Sequence, residues 1–164
     1  MFQLIKSLNY WKERKGYKPE AIVIHITDGK KEGVKSWFLT PDSQVSAHYL
    51  ICKDGDIIKF VEEKDTAWHC GIIKNPKWGL LKNRVNPNYY TIGIEFEGFN
   101  HDQLTLAQLL AGAWLLFKIS ASWGIPLDFK HVIPHNWING SKICPGRGIN
   151  LGYLIRLAKI LKNN

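Results

Sequence analysis

Cysteine is scarce in this chain of 164 residues. Cys52, Cys70 and Cys144 are odd in number and far apart, which does not make a disulfide framework. Synthesis in a reducing compartment is the simpler expectation, with one bridge left open. Met1 to Lys18 contains no apolar stretch followed by a small-residue cleavage site. A signal peptide is therefore not expected, and cytoplasmic synthesis is. Long apolar runs are missing too. Leu104 to Ile125 comes closest, but Gln108, Lys118, two serines and two glycines interrupt it. No integral membrane segment is expected from it. Lys and Arg form no compact block and no nucleic-acid motif is visible, so nucleic acid is not an expected partner. There is no internal repeat and no low-complexity stretch.

What is present fits one globular domain spanning residues 1–164, with residues 1–20 as a basic, aromatic lead-in carrying one helical turn. Hydrophobic residues make up 45% and charged residues 22%, an ordinary balance for a packed core. A monomer is expected. Seven Trp and seven Phe are generous for this length, enough to line a site as well as fill a core. The net charge of +8 draws a protein toward polyanions such as anionic wall polymer, lipid or nucleic acid. Scattered as it is, the same charge also serves solubility.

Hydrophobic patterning predicts alternating elements. Ala21-Ile-Val-Ile-His-Ile-Thr27 is a buried strand closed by Asp28-Gly29. Glu32 to Leu39 forms a short helix stopped by Pro41. Ala47 to Lys53 and Ile57 to Val61 are strands joined at Asp54-Gly55, a strong hairpin signal. Residues 72–90, rich in Asn, Pro, Lys and Gly, form a long loop. Thr91 to Glu97 is a strand, Thr105 to Gly124 a largely buried helix, and His131 to Ile133 a short strand. Leu151, Leu154, Ile155, Ala158 and Leu161 follow helical spacing. The expectation is an α/β domain: a central mixed β-sheet flanked by helices.

Several residues carry possible chemistry. His25 sits in an apolar strand, where its ring must find a polar partner. Taken alone, a core histidine bonded to backbone is the commoner outcome. His135 and Cys144 lie on one loop, at a spacing that matches no zinc finger. One strand histidine with a loop histidine and cysteine would supply three ligands and leave a fourth position open, as a catalytic zinc requires. Glu95 and Glu97 share one face of their strand. A buried carboxylate near a metal can act as a base with raised pKa, while an exposed one merely meets solvent. Lys142, close before Cys144, could steady a developing oxyanion or be a solvated loop lysine.

Five segments in order resemble the type 2 zinc-dependent N-acetylmuramoyl-L-alanine amidases. That superfamily also holds phage lysozyme-type amidases and peptidoglycan recognition proteins. The segments are Ala21 to Thr27, Ser46-Ala-His-Tyr-Leu-Ile51 with Lys53-Asp-Gly55, Trp68-His69-Cys-Gly71, Ile92-Gly-Ile-Glu95, and His131-Val-Ile-Pro-His135 through Lys142-Ile-Cys-Pro-Gly146. The resemblance implies Zn2+ as cofactor, in a surface groove, with His25, His135 and Cys144 as ligands. It makes Glu95 and Lys142 the catalytic residues. His48 and His69 would line the substrate groove, and the intervening insert carrying Trp78 would form a wall or lid of the groove or simply cover the core.

The chain departs from the family in two places. Ile26 stands where many relatives carry a second histidine, and Pro134 where a glycine often precedes the ligand. The implied function is zinc-dependent hydrolysis of the amide between N-acetylmuramic acid and L-alanine, in peptidoglycan or in muropeptides. The implied place of action is the cell wall after release or export, or the cytoplasm on muropeptides. A non-catalytic peptidoglycan-binding module is the alternative; such members typically lose a ligand, and this chain retains all three. A basic nucleic-acid or membrane-surface protein rests on charge alone.

Overall fold

The computed structural model describes residues 1–163. Eight strands and three α-helices follow in chain order: β1 (Phe2–Leu4), β2 (Tyr10–Trp11), β3 (Ala21–Ile26), α1 (Lys31–Leu39), β4 (Tyr49–Ile51), β5 (Ile57–Lys59), β6 (Thr66–Ala67), β7 (Thr91–Phe96), α2 (Leu106–Trp123), β8 (Val132–Pro134) and α3 (Leu151–Asn163). The main sheet has the order β1-β5-β4-β7-β3-β8. Only the β4–β5 hairpin is antiparallel. The expected α/β class with a mixed central sheet flanked by helices is the observed one. Residues 1–20 do more than lead in. Phe2–Leu4 adds an edge strand beside β5, and Tyr10–Trp11 pairs with β6 in a second, two-stranded sheet.

Period-two alternation sorts the central strands into two faces. Ile22, Ile24, Ile26, Ile92, Ile94 and Phe96 point to one side and meet Leu116, Ile119, Leu154 and Ile155 of α2 and α3. The opposite side carries Ala21, Val23 and His25 from β3 and Thr91, Gly93 and Glu95 from β7. In that register His25 stands directly beside Glu95. Part of this second face packs under Cys70 and residues of the long 72–90 segment: Ala21 and Val23 cluster with Cys70, Trp78 and Tyr90. At the carboxyl end of β3 and β7 the cover stops, and there the polar residues collect.

Local signals place the helices. Thr105 caps α2: its hydroxyl accepts from Gln108 N at 3.0 Å, and the Gln108 side chain accepts from Thr105 N at 3.2 Å. Gly124, at φ 69°, ends the helix in the left-handed conformation glycine tolerates. By length and apolar content α2 meets the measure of a membrane-crossing helix. In this fold Ala113, Leu115, Leu116 and Ile119 pack into the sheet–helix core. Glu97, paired with Glu95 by strand parity, serves the backbone: its carboxylate accepts from Lys31 N and Lys53 N, both at 2.8 Å. It thereby joins the start of α1 to the hairpin.

Candidate metal centre

β3 delivers His25 at its carboxyl end, while the loop after β8 delivers His135 and Cys144. One ligand atom from each of the three lies within 4.8 Å of the others. The imidazoles of His25 and His135 are 4.5 Å apart between ring centres. Cys144 Sγ stands 3.8 Å from His25 Nδ1 and accepts from Ile26 N at 3.4 Å. His25 and His135 are buried, and Cys144 is half-buried. Burial holds both imidazoles below their ordinary pKa, so both are neutral and able to ligate. Burial also pushes the Cys144 thiol up to about 12, an effect a bound cation would oppose. Two nitrogens and one sulfur converging this closely form a group able to hold a metal ion.

Glu95 borders the same point. Its Oε1 is 3.9 Å from His25 Nδ1, while its buried Oε2 has no hydrogen-bond partner. Desolvation raises its pKa to about 8. A cleft of about 260 Å³ opens over it, walled by Thr27, Asp28, Val34, Trp37 and Phe38. On the other flank, a depression of about 620 Å³ runs past Asn136, Lys142, Arg147 and His101. Lys142 is exposed on that rim, close enough to help lower the pKa of His135.

Three other expected site residues are not in the groove. His48 is fully buried. Its Nδ1 is 3.0 Å from Gly93 N, and its Nε2 is 2.9 Å from Arg14 Nη2 and 3.2 Å from Asp65 O. His69 is 6% exposed and stands behind His25, with its Nδ1 3.1 Å from His25 Nε2. Trp78 is 4% exposed, stacks on Tyr90 at 5.6 Å and donates from Nε1 to Lys130 O at 2.8 Å. Burial thus corrects the expected substrate contact of His48, His69 and Trp78, and for the Trp78 insert it leaves the other reading, cover over the core. The Trp78 ring covers the sheet, and the two histidines support the site from beneath.

Other contributors were not read from sequence. Arg14, in the basic lead-in, is buried and donates to the carbonyls of Glu63, Asn88, Tyr89 and Thr91. Burial lowers its pKa to about 10. Nothing distinguishes it in sequence from its exposed basic neighbours. Trp37 on α1 is 56% exposed and walls the cleft beside Glu95. A tryptophan on the polar side of a short helix was the available signal.

The family described as N-acetylmuramoyl-L-alanine amidase matches residues 15–147, which include every member of the cluster. This chain belongs to that family. It is 34% identical over 136 residues to N-acetylmuramoyl-L-alanine amidase A of Achromobacter lyticus, covering 82% of this chain and 63% of that protein. It is 40% identical over 65 residues to the 1,6-anhydro-N-acetylmuramyl-L-alanine amidase AmpD of Haemophilus influenzae, covering 40% of this chain and 32% of that protein. The chain thus spans less than two thirds of either curated relative. The fold is shared with solved structures. A selenomethionine derivative of AmpD superposes with a TM-score of 0.79 at 23% identity, over 94% of this chain and 93% of the other. The catalytic domain of XlyA gives 0.70 at 20% identity, over 96% and 99%.

Proposed function

We propose that this chain is a zinc-dependent amidase that hydrolyses the bond between N-acetylmuramic acid and L-alanine in peptidoglycan or its fragments. One observation carries the reading: two imidazoles and a thiol converge beside a buried carboxylate whose second oxygen is bare. The donor set suits zinc. Tetrahedral zinc with Zn–N near 2.0–2.1 Å and Zn–S near 2.3 Å holds nitrogen and sulfur about 3.6 Å apart. The 3.8 Å between Cys144 Sγ and His25 Nδ1 fits that spacing. His25, His135 and Cys144 would hold the ion, which supplies Lewis acidity toward water and the scissile carbonyl.

The chain's own residues do the rest. Glu95 holds or releases a proton at its carboxylate, whose Oε1 faces the ligands 3.9 Å from His25 Nδ1. From there it takes one from the attacking water and passes it to the departing amine of L-alanine. Lys142 sets a cation on the rim of the ligand loop, where it stabilises negative charge growing on the carbonyl oxygen. The cleft beside Trp37 and the cationic depression beside Lys142 and Arg147 flank Glu95 and the ligands, giving room for an extended substrate with anionic groups. A complete ligand set together with Glu95 supports hydrolysis over recognition alone.

Purified protein should carry zinc and release stem peptide from sacculi, from free muropeptides or from both when these are digested in parallel. A strong chelator should abolish release and added zinc restore it. Glu95→Gln should keep the metal and lose about 100-fold or more in turnover. Lys142→Ala should do the same to a smaller degree. Zinc-loaded protein that frees no peptide from either substrate overturns the proposal.

A further inference from the structure

Behind the proposed ligands runs a buried series of hydrogen bonds whose direction can be read. Thr91 Oγ1 lies 2.8 Å from Pro87 O. A carbonyl cannot donate, so the single hydroxyl proton is committed there. Oγ1 can then only accept from its two remaining neighbours, His69 Nε2 at 3.2 Å and the Cys70 thiol at 3.5 Å. A neutral imidazole carries one proton, so His69 Nδ1 is bare. That nitrogen is 3.1 Å from His25 Nε2 and 3.5 Å from Cys70 Sγ; with the thiol proton directed to Thr91 Oγ1, His25 Nε2 is the donor. The proton of His25 is thereby placed on Nε2, leaving Nδ1 bare. Nδ1 is the atom that faces Cys144 Sγ at 3.8 Å and Glu95 Oε1 at 3.9 Å.

We infer that His69 and Thr91 are positioning residues that lock His25 in the one tautomer able to ligate through Nδ1. The next residue does the same for the second imidazole. Cys70 O can only accept, and it lies 3.0 Å from His135 Nε2, leaving His135 Nδ1 bare. One dipeptide therefore orients both histidines, through a ring in one case and a backbone carbonyl in the other. The dipeptide is itself pinned. Asn88 Oδ1 accepts from His69 N at 3.2 Å and from Cys70 N at 2.8 Å. Gly93 makes the seat: a Cβ there would stand 2.5 Å from Cγ of His69. The Trp68-His69 and Ile92-Gly93-Ile94-Glu95 segments are in this sense one device, since the ring of the first occupies the gap left by the glycine of the second.

The functional weight of the lock rests on the proposed metal reading, but the tautomer does not. Partners of this kind commonly hold a ligand's orientation and are worth 10–100-fold in metal affinity. The experiment has two readouts. Long-range proton–nitrogen NMR of the metal-stripped full chain should show His25 and His69 both protonated on Nε2. Zinc affinity, measured by competition with a chromophoric chelator, should fall about 10–100-fold in His69→Leu. His69→Asn, whose amide oxygen can stand near the place of Nδ1, should recover most of that loss. Thr91→Val should weaken binding less than His69→Leu does.

A His25 proton on Nδ1, or zinc affinities in His69→Leu equal to those of the wild type or of His69→Asn, overturns the inference. Should His69→Leu fail to fold, the wild-type spectrum and the His69→Asn affinity still decide. If the wild type binds no zinc, the metal reading fails, while the spectrum still tests the lock.

Discussion

Glu95 should make the metal-stripped protein lose stability as pH rises, and Glu95→Gln should remove that loss. The carboxyl rises from 4.5 to about 8 on burial, with its side chain only 15% exposed. The folded value is the higher one. Between the two values the folded state therefore keeps a proton that the unfolded chain gives up. The stabilisation is complete below 4.5 and is lost as pH climbs through about 8. At about 1.4 kcal/mol per pH unit, the interval from 4.5 to about 8 sets an upper bound of about 5 kcal/mol. The open cleft beside the carboxyl lets solvent screen part of this, leaving roughly 2–4 kcal/mol. Urea melts of wild type and Glu95→Gln at about pH 5 and about pH 8.5 measure the difference. The contribution from His25 is common to both proteins and largely cancels. The wild type should lose roughly 2–4 kcal/mol more than the variant between the two pH values. Zinc should shrink that gap, because a neighbouring cation favours the ionised carboxylate. Stability curves that stay parallel from pH 5 to pH 8.5 would refute the claim that this carboxyl is desolvated, and with it the basis for its role as a base.

Gly93→Ala should cost about 1–3 kcal/mol through overpacking, because its Cβ would meet the His69 ring at 2.5 Å. Adding His69→Ala to it should return part of that stability, as denaturant melts of the two proteins would show. Trp78→Phe loses the bond to Lys130 O and should cost about 1–2 kcal/mol while leaving KM for muropeptide unchanged. A raised KM at unchanged stability would put Trp78 back in the groove.

Sequence alone settled whatever depends on local period and on residue type. The β-branched runs at Ala21 to Thr27 and Thr91 to Glu97, the hairpin at Asp54-Gly55 and the apolar helix from Thr105 to Gly124 each state their own conformation. Each does so because a strand's alternation, a turn's left-handed residue or a helix's orphaned N–H groups are satisfied within a few residues. The candidate ligand set of His25, His135 and Cys144 was legible only through the resemblance of five ordered segments to the amidase family; residue type and spacing left a backbone-bonded core histidine the commoner outcome for His25.

Tertiary structure decided which way the polar residues face and what they touch. His48, His69 and Trp78 look like groove residues on polarity and motif alone. Their burial depends on contacts with Arg14, Gly93 and Lys130, which lie up to dozens of residues away. The edge strand at Phe2–Leu4 likewise exists only because β5 offers an unpaired edge. Glu95 and Glu97 share strand parity, yet one is left with a bare oxygen and the other is consumed by two backbone amides. That division follows from where α1 and the hairpin come to rest. Only after distant segments have packed does one carboxylate lose its water beside three converging donor atoms.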